Sequence, residues 1–444
     1  MDGPLGVRLL FGLGKALRVL PLPALREASD SGLAGIAYDL NYAISASLWR
    51  ARSDMPRWRE LQDDWRRALA AMEPGVPAAP VDPPALRLIT DNAEAYRRRT
   101  ELYASAQRSI DVSTYAIYGD ATGWKTVREL VDRAKAGVRV RVQIDDGIAI
   151  RKSATTEGYA KLLTSLVDGG VHLSRYRDPA RPYDMNHRKL LVIDGEVAIV
   201  GGRNYGDAYA GPHWRDVEIE CRGDIAATCA AMFESSWARQ EQGGPLAPPV
   251  RVTSIAAGSG RCVETRGDLS RVNPVLLWQL ALFDAATTSI DLENAYVVAV
   301  DIVAERLIAA ARRGVRVRLF TNSRESNDVK TASHAFFSRF PSLVERGVEL
   351  WLRQGEGKTL HSKYAIVDRR FVSLGSYNMN AHSARFAAEA NLQLDHPPLA
   401  AELTAHFERG LGEARRVASV EEARSMIPGD PVAIVSNRVF LDFQ

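Results

Sequence analysis

The sequence predicts a duplicated α/β protein, two mixed sheets each covered by helices, related by pseudo-twofold symmetry and sharing one site. Three observations carry this. The pattern His-x-Lys-x4-Asp-x6-Gly-x2-Asn occurs twice, from His187 to Asn204 and from His361 to Asn378. Ser-Ile-Asp recurs at 109 and 289, and Gly-Val-Arg-Val-Arg at 137 and 314, so the repeat reaches beyond the polar motif. Strand-like and helix-like periods alternate through both bodies, the pattern of sheets covered by helices.

Taken in order, residues 1–85 read as an amphipathic, helical extension ending in a linker. Leu5, Leu9, Leu10, Leu13, Leu17 and Leu20 fall in one sector of a helix over 5–20, opposite Arg8, Lys15 and Arg18, with Pro21 and Pro23 stopping it. Such a helix can lie in a membrane interface or pack on its own domain. Trp49, Trp58 and Trp65 sit among arginines and suit a packing face better than an interfacial anchor. Residues 73–85, rich in proline and alanine, form the linker.

The first body, 86–245, predicts helix over 92–105, strand over 109–118, helix over 124–136, strand over 137–144, helix over 159–167 and a short strand from 170. The second, 246–444 with a C-terminal extension, retraces that path. It predicts helix over 275–287, strand over 289–293, helix over 300–311, strand over 314–320, helix near 333–345 and strand over 347–352. The Gly- and Pro-rich run 242–249 is the seam between them.

Composition limits the function classes. A chain of 444 residues is too long for one ordinary core and fits two domains. Its 57 basic and 54 acidic side chains leave a formal charge of +3, which points to neither a bulk nucleic-acid binder nor a polybasic tail. Cys221, Cys229 and Cys262 have no metal-like or disulfide-framework spacing, which suits a reducing compartment. No stretch approaches the roughly 18 uninterrupted apolar residues of a spanning helix.

In an extended chain residues two apart face the same side, so His187 projects with Lys189 and His361 with Lys363. The apolar residues that follow in each copy read as hairpin arms turning at Asp194 and Asp368, which brace the fold rather than touch substrate. Ammonium groups repel a metal ion, and no metal is expected. Lys189, Lys363, Asn204 and Asn378 instead suit the non-bridging oxygens of a phosphate, and the Ser376 hydroxyl can also donate to it. The two histidines are then the proton-active groups: one attacks phosphorus and the other protonates the leaving oxygen. Asp216 follows His187, and Glu389 follows His361, at near-equal offsets. A buried carboxylate at each would fix a ring tautomer. No dinucleotide fingerprint or Gly-Lys-Ser/Thr loop appears, so no cofactor is expected.

The paired motif resembles that of the phospholipase D superfamily over roughly residues 86–410. The resemblance implies the duplicated phospholipase D-like α/β fold, one active site between the halves and a covalent phosphohistidine, with His187 as nucleophile and His361 as general acid. Gly201 to Tyr209, with Trp214, Arg215 and Asp216, is similar to the bacterial cardiolipin synthases. In the second motif Asn380 stands where Asp is usual, His382 where Arg is usual and Ala387 where Asn is usual, which leaves the acceptor open. The implied partners are a phospholipid such as phosphatidylglycerol, an alcohol acceptor and the inner face of the cytoplasmic membrane, with peripheral association. Transfer and hydrolysis both remain open, as does oligomeric state. Two alternatives stand: a nuclease, for which Arg139, Arg141, Arg316 and Arg318 would line a groove, and an inert lipid-binding scaffold.

Overall fold

The computed structural model describes residues 58–71, 86–146, 157–176, 184–242, 260–265, 273–297, 300–329 and 337–427. The helix expected over 5–20, Trp49 and the linker 73–85 lie outside them. In chain order the first half comprises α1 (Trp58–Ala70), β1 (Leu86–Ile89), α2 (Asn92–Ser105), β2 (Ser109–Thr114), α3 (Ala121–Lys135), β3 (Arg139–Asp145) and α4 (Glu157–Asp168). It continues with β4 (His172–Tyr176), β5 (Met185–Asn186), β6 (Leu190–Ile193), β7 (Val197–Gly201), α5 (Asp207–Ala210), β8 (Glu218–Arg222) and α6 (Asp224–Gln242). The second half comprises β9 (Gly260–Thr265), α7 (Pro274–Ala285), β10 (Ser289–Asn294), α8 (Asp301–Arg312), β11 (Arg316–Asn322), α9 (Phe340–Glu345) and β12 (Glu349–Arg353). It ends with β13 (Lys363–Val367), β14 (Phe371–Gly375), α10 (Ala381–Arg385), β15 (Ala387–Asp395), α11 (Pro397–Gly412), β16 (Ala414–Arg416) and α12 (Val420–Ser425).

Local chemistry sets the boundaries. The Asp91 and Asp120 side chains cap α2 and α3 by accepting from the Glu94 and Gly123 amides. That cap starts α3 at Ala121, ahead of the residue 124 expected from its apolar spacing. Gly137 and Gly314, at φ +90° and +89°, end α3 and α8 in the left-handed region that glycine adopts without a Cβ clash. Their strands therefore begin two residues later than the Gly-Val-Arg repeat suggested. The strand expected over 109–118 stops at Thr114, where the chain leaves the sheet and Tyr115 enters the site.

Both sheets are mixed. The first has the order β1-β8-β7-β6-β2-β3-β4, parallel across β2, β3 and β4 and antiparallel through the β6–β7 hairpin and β8. The second runs β16-β12-β11-β10-β13-β14-β15-β5, with β9 also paired to β15. The strands β2-β3 and β10-β11 carry matching cross-strand pairs. Arg141 bonds Asp111 at 2.7 Å, and Arg318 bonds Asp291 at 2.6 and 2.8 Å, so the repeated Ser-Ile-Asp and Arg-Val-Arg form one buried ion pair in each half. Asp194 and Asp368 each accept from three consecutive backbone amides at the start of β2 or β10. The distances are 2.7–2.9 Å at Gln107, Arg108 and Ser109, and 2.8–3.0 Å at Thr287, Thr288 and Ser289. Both residues sit at positive φ, 55° and 53°, so each hairpin turn is tied to the neighbouring strand.

Three apolar clusters organise the chain. One packs the first sheet against α2, α3 and α4, and a second packs the other sheet against α7, α8 and α9. Trp65 of α1 is fully buried in the second of these, a packing role for the one tryptophan of that stretch whose side chain is described. The third cluster lies between the halves and joins Leu190, Val200 and Phe233 to Tyr364, Leu374 and Phe407. Burying both inner sheet faces and the flanking α6 and α11 together makes the seam part of the core.

Candidate active site

The site is built where each half lends backbone to the other. The residues just before His187 form β5, which pairs in parallel with Ala387 and Ala388 of β15, and the His187 amide donates to the Ala388 carbonyl at 2.9 Å. The residues before His361 do the same in reverse. Leu360 bridges Arg215, and the His361 amide donates to the Arg215 carbonyl at 2.7 Å. Equivalent strand ends hook both segments. Asp145 closes β3 and accepts from the Asn186 amide at 2.7 Å, while Asn322 closes β11 and accepts from the Leu360 amide at 2.9 Å. Both follow the Arg-Val-Arg repeat at one register, a signal present in the sequence but unread.

This exchange fixes the carboxylates. Glu389 of the second half meets Nδ1 of His187 at 2.9 and 3.0 Å, and Asp216 of the first half meets Nδ1 of His361 at 2.8 Å. Each histidine is thus oriented by the carboxylate of the opposite half, whereas the offsets in sequence had grouped Asp216 with His187 and Glu389 with His361. With Nδ1–H donating to a carboxylate, Nε2 is left as the basic nitrogen in both rings. Gly202 makes room for Asp216, since a Cβ there would lie 2.2 Å from its Oδ1. The equivalent position in the other half is Ser376. Its hydroxyl, expected at the phosphate, instead donates to Glu389 Oε2 at 2.6 Å, and the Ser383 hydroxyl donates to Oε1 at 2.6 Å.

The lysines behave alike. Lys189 Nζ donates to the carbonyl of His187 at 2.7 Å, and Lys363 Nζ to the carbonyl of His361, leaving two N–H donors on each ammonium. Lys189 also lies over the ring of Tyr115, and Lys363 over that of Tyr296, at 5.5 and 5.7 Å. Asn204 Nδ2 bonds the Tyr209 hydroxyl at 2.8 Å, while Asn378 is buried with an unpartnered Oδ1. Tyr209, Trp214 and Tyr296 wall the His361 ring at 5.2, 5.2 and 6.0 Å between centroids. These aromatic walls, and Tyr115 beside His187 at 5.7 Å, were not read from the sequence, because no spacing rule sets them apart from core aromatics.

Burial and like charge dominate the electrostatics. Desolvation, then the mutual repulsion of the lysines, pushes Lys189 down to about 7, and desolvation pushes Lys363 down to about 8, both against the pull of Asp216 and Glu389. His361 falls to about 3, first by burial and next by Lys363, and His187 is lowered by burial despite Glu389. Burial pushes Asp216 upward, but His361 and Lys363 outweigh it and bring it down to about 2. Glu389 is likewise lowered against burial by His187 and Lys189. Each histidine senses the lysine of the other half, so the two motifs share one electrostatic site. The His187 side chain keeps 12% of its surface exposed, against 4% for His361.

The arginines that favoured a nuclease groove are paired with acids. Arg141 and Arg318 are buried on Asp111 and Asp291, Arg316 bonds Glu349 at 2.8 Å, and Arg139 lies 3.9 Å from Glu234. Among the described residues no cluster of His, Cys, Asp and Glu is arranged to hold a metal ion, and no helix is long and apolar enough to cross a membrane.

A family model described as "Cardiolipin synthase, PLD-like domain" matches residues 100–237 and 280–411, more than half of the chain and both motifs. The chain belongs to this cardiolipin synthase-type, phospholipase D-like family. Within it, a cardiolipin synthase of Alkalihalophilus pseudofirmus is 29% identical over 69% of this chain and 62% of its own length, and one of a Geobacillus species is 29% identical over 74% and 66%. The chain therefore spans somewhat less than two thirds of these relatives. Among solved structures, phosphatidylserine synthase of Haemophilus influenzae superposes with a TM-score of 0.66, covering 86% of this chain and 99% of its own at 14% identity. Polyphosphate kinase of Porphyromonas gingivalis superposes at 0.53, also with 14% identity. At such identity these likenesses speak to the duplicated fold alone.

Proposed function

We propose that this protein is a phosphatidyltransferase acting on phospholipid phosphodiesters through a covalent phosphohistidine, with phosphatidylglycerol or a similar lipid as donor and an alcohol as acceptor. The observation that carries the reading is the crossed pairing: two imidazoles, each held through Nδ1 by a buried carboxylate of the opposite half, beside two buried ammonium groups. Lys189 and Lys363, with the amides of Asn204 and Asn378, hold the phosphate oxygens and stabilise the charge that builds on them in the transition state. Nε2 of His187 attacks phosphorus. The greater exposure of this ring suits the nucleophile, as family membership also implies. His361 protonates the leaving head alcohol, then takes the proton of the acceptor as its hydroxyl displaces His187.

In the free protein both rings are held neutral. Arrival of the phosphate anion raises the His361 pKa and lets this ring carry the proton that the leaving group needs. Membership in a synthase family and the acid-paired arginines favour lipid transfer over nuclease action. Peripheral contact with the inner face of the cytoplasmic membrane is part of the proposal.

The test is incubation of purified protein with phosphorus-labelled phosphatidylglycerol, with and without glycerol. We expect labelled protein that loses its label in acid but keeps it in alkali, together with transfer products and phosphatidic acid. His187→Ala should abolish the adduct and His361→Ala should abolish turnover. Full activity in either variant would end the shared-site mechanism.

A further inference from the structure

Cys221, Cys229 and Cys262 have no framework spacing along the chain, yet the fold gathers them at the seam. Cys221 of β8 and Cys229 of α6 belong to the apolar cluster between the halves, and Cys262 of β9 packs against it. All three are free thiols, the first two fully buried and Cys262 half-buried.

The geometry comes from α6 and β9. The Cys262 amide donates to Thr228 Oγ1 at 3.4 Å, and the Cys262 Sγ lies 4.0 Å from Met232 Sδ. Thr228 and Met232 are four residues apart on α6, one above the other on one face, and Cys229 stands on the flank of that face. The neighbouring thiols of Cys221 and Cys262, ahead of burial, hold the Cys229 thiol well above its ordinary range. A thiol so raised is a poor nucleophile towards a dissolved oxidant, but it can act on a group held beside it. Cys221 is occupied in the first sheet, where its Sγ reaches the Ala198 carbonyl at 3.6 Å. Cys262, with its exposed surface, is where an oxidant arrives first.

We propose that Cys262 is an oxidation site resolved by Cys229, and that the disulfide formed between them ties the two halves across the seam. The oxidant is hydrogen peroxide. The Cys262 sulfur attacks one peroxide oxygen, the O–O bond breaks, and a sulfenic acid forms with release of one water. The Cys229 sulfur then attacks the sulfenic sulfur, the S–O bond breaks, and the hydroxyl leaves with the Cys229 proton as a second water. Two thiols have given two electrons to one peroxide. A thiol reductant reverses the bond, so in a reducing compartment the pair rests open.

The bond joins α6 of the first half to β9 of the second. β9 lies along β15, with Thr265 opposite Glu389, the carboxylate held on His187. It also carries Glu264, which bonds Arg188, the residue between His187 and Lys189, at 3.0 Å. A tie at Cys262 therefore holds the strand pair on which one arm of the crossed pairing depends.

The experiment exposes the full, reduced chain to hydrogen peroxide, quenches by alkylation and maps tryptic peptides by mass spectrometry. Cleavage after Arg215, Arg222, Arg239, Arg261 and Arg266 puts the three cysteines on separate peptides. We expect the Cys229 and Cys262 peptides to be joined, two hydrogens lighter than their sum, with Cys221 alkylated, and to separate again in dithiothreitol. Cys221→Ala should give the same link, and Cys262→Ala should leave Cys229 open to alkylation. The joined protein should melt about 2–4 °C above the reduced one, a gain missing from Cys262→Ala. Three results overturn the site: Cys262 driven to sulfinic acid with Cys229 still free, a link between Cys221 and Cys229, or three intact thiols under peroxide that oxidises free cysteine. A linked protein that melts no higher than the reduced one overturns the tie. If a variant does not fold, the peptide map of the native chain still names the joined pair.

Discussion

Replacing Glu389 by Gln probes the crossed pairing at the atom where it acts. Three donors converge on this carboxylate, Nδ1–H of His187 at 2.9 Å and the hydroxyls of Ser376 and Ser383 at 2.6 Å each, and the residue is fully buried. Gln keeps one acceptor oxygen and replaces the other with an NH2 group, so the carboxylate charge is gone and the three donors are left with one acceptor oxygen between them. A hydrogen bond to a charged group contributes about 1.5–3 kcal/mol, and here it supports the positive charge that grows on His187 as it attacks phosphorus. At about 1.4 kcal/mol per decade this is a loss of roughly 10- to 150-fold in the rate of adduct formation. Rapid-quench measurement of labelled protein in a single turnover reads that step directly. Imidazole nitrogen NMR supplies the address: Glu389→Gln should move the His187 Nδ1 resonance and Asp216→Asn that of His361. The opposite assignment, or both variants moving the same ring, would refute the exchange between halves.

Further outcomes follow from the same geometry. With Lys189 and Lys363 pushed down to about 7 and 8, the free anion site carries both charges below pH 7 and loses them as pH rises through 7 to 8. His187, lowered from 6.5, stays unprotonated until the pH falls below that value. The pH profile of kcat/KM should therefore decline on its alkaline side through 7 to 8; a decline only near the ordinary lysine value of 10.5 would contradict it. Arg215→Ala strands the buried carboxylate of Glu293, which Arg215 holds by two bonds of 2.9 Å, and should cost about 3–5 kcal/mol in denaturant unfolding. Adding Glu293→Gln should recover part of that loss, and no recovery would mean that Arg215 acts by packing alone. Asp368→Asn removes the charge that gathers the Thr287, Thr288 and Ser289 amides. It should lower stability by about 1–3 kcal/mol while kcat stays at the native value, and a large fall in kcat would place Asp368 in the site.

What the sequence made legible was whatever repeats or keeps period. The matched motifs announced a duplicated fold, and hairpin and helix patterns located most elements to within a few residues. Asp194 and Asp368 could be read as braces because a turn residue needs a nearby backbone to bind. The pairing of Asp216 and Glu389 across the seam was not legible, since an offset along the chain cannot tell which of two equivalent histidines a side chain will meet. That choice is made by β5 pairing with β15 and by Leu360 bridging Arg215, contacts between residues far apart in sequence. Ser376 misled for a related reason. A hydroxyl beside a phosphate motif and a hydroxyl beside a carboxylate look alike until Glu389 is seen to occupy the space.

The segment that each half lends to the other, β5 to β15 and Leu360 to Arg215, has a consequence for how this protein fails. Loosening the seam withdraws both carboxylates from both rings at once, so no half-competent species stands between working and idle. Activity lost on heating should track a single opening of the joint between the halves, and a fragment ending before β9 should be catalytically silent however well it folds.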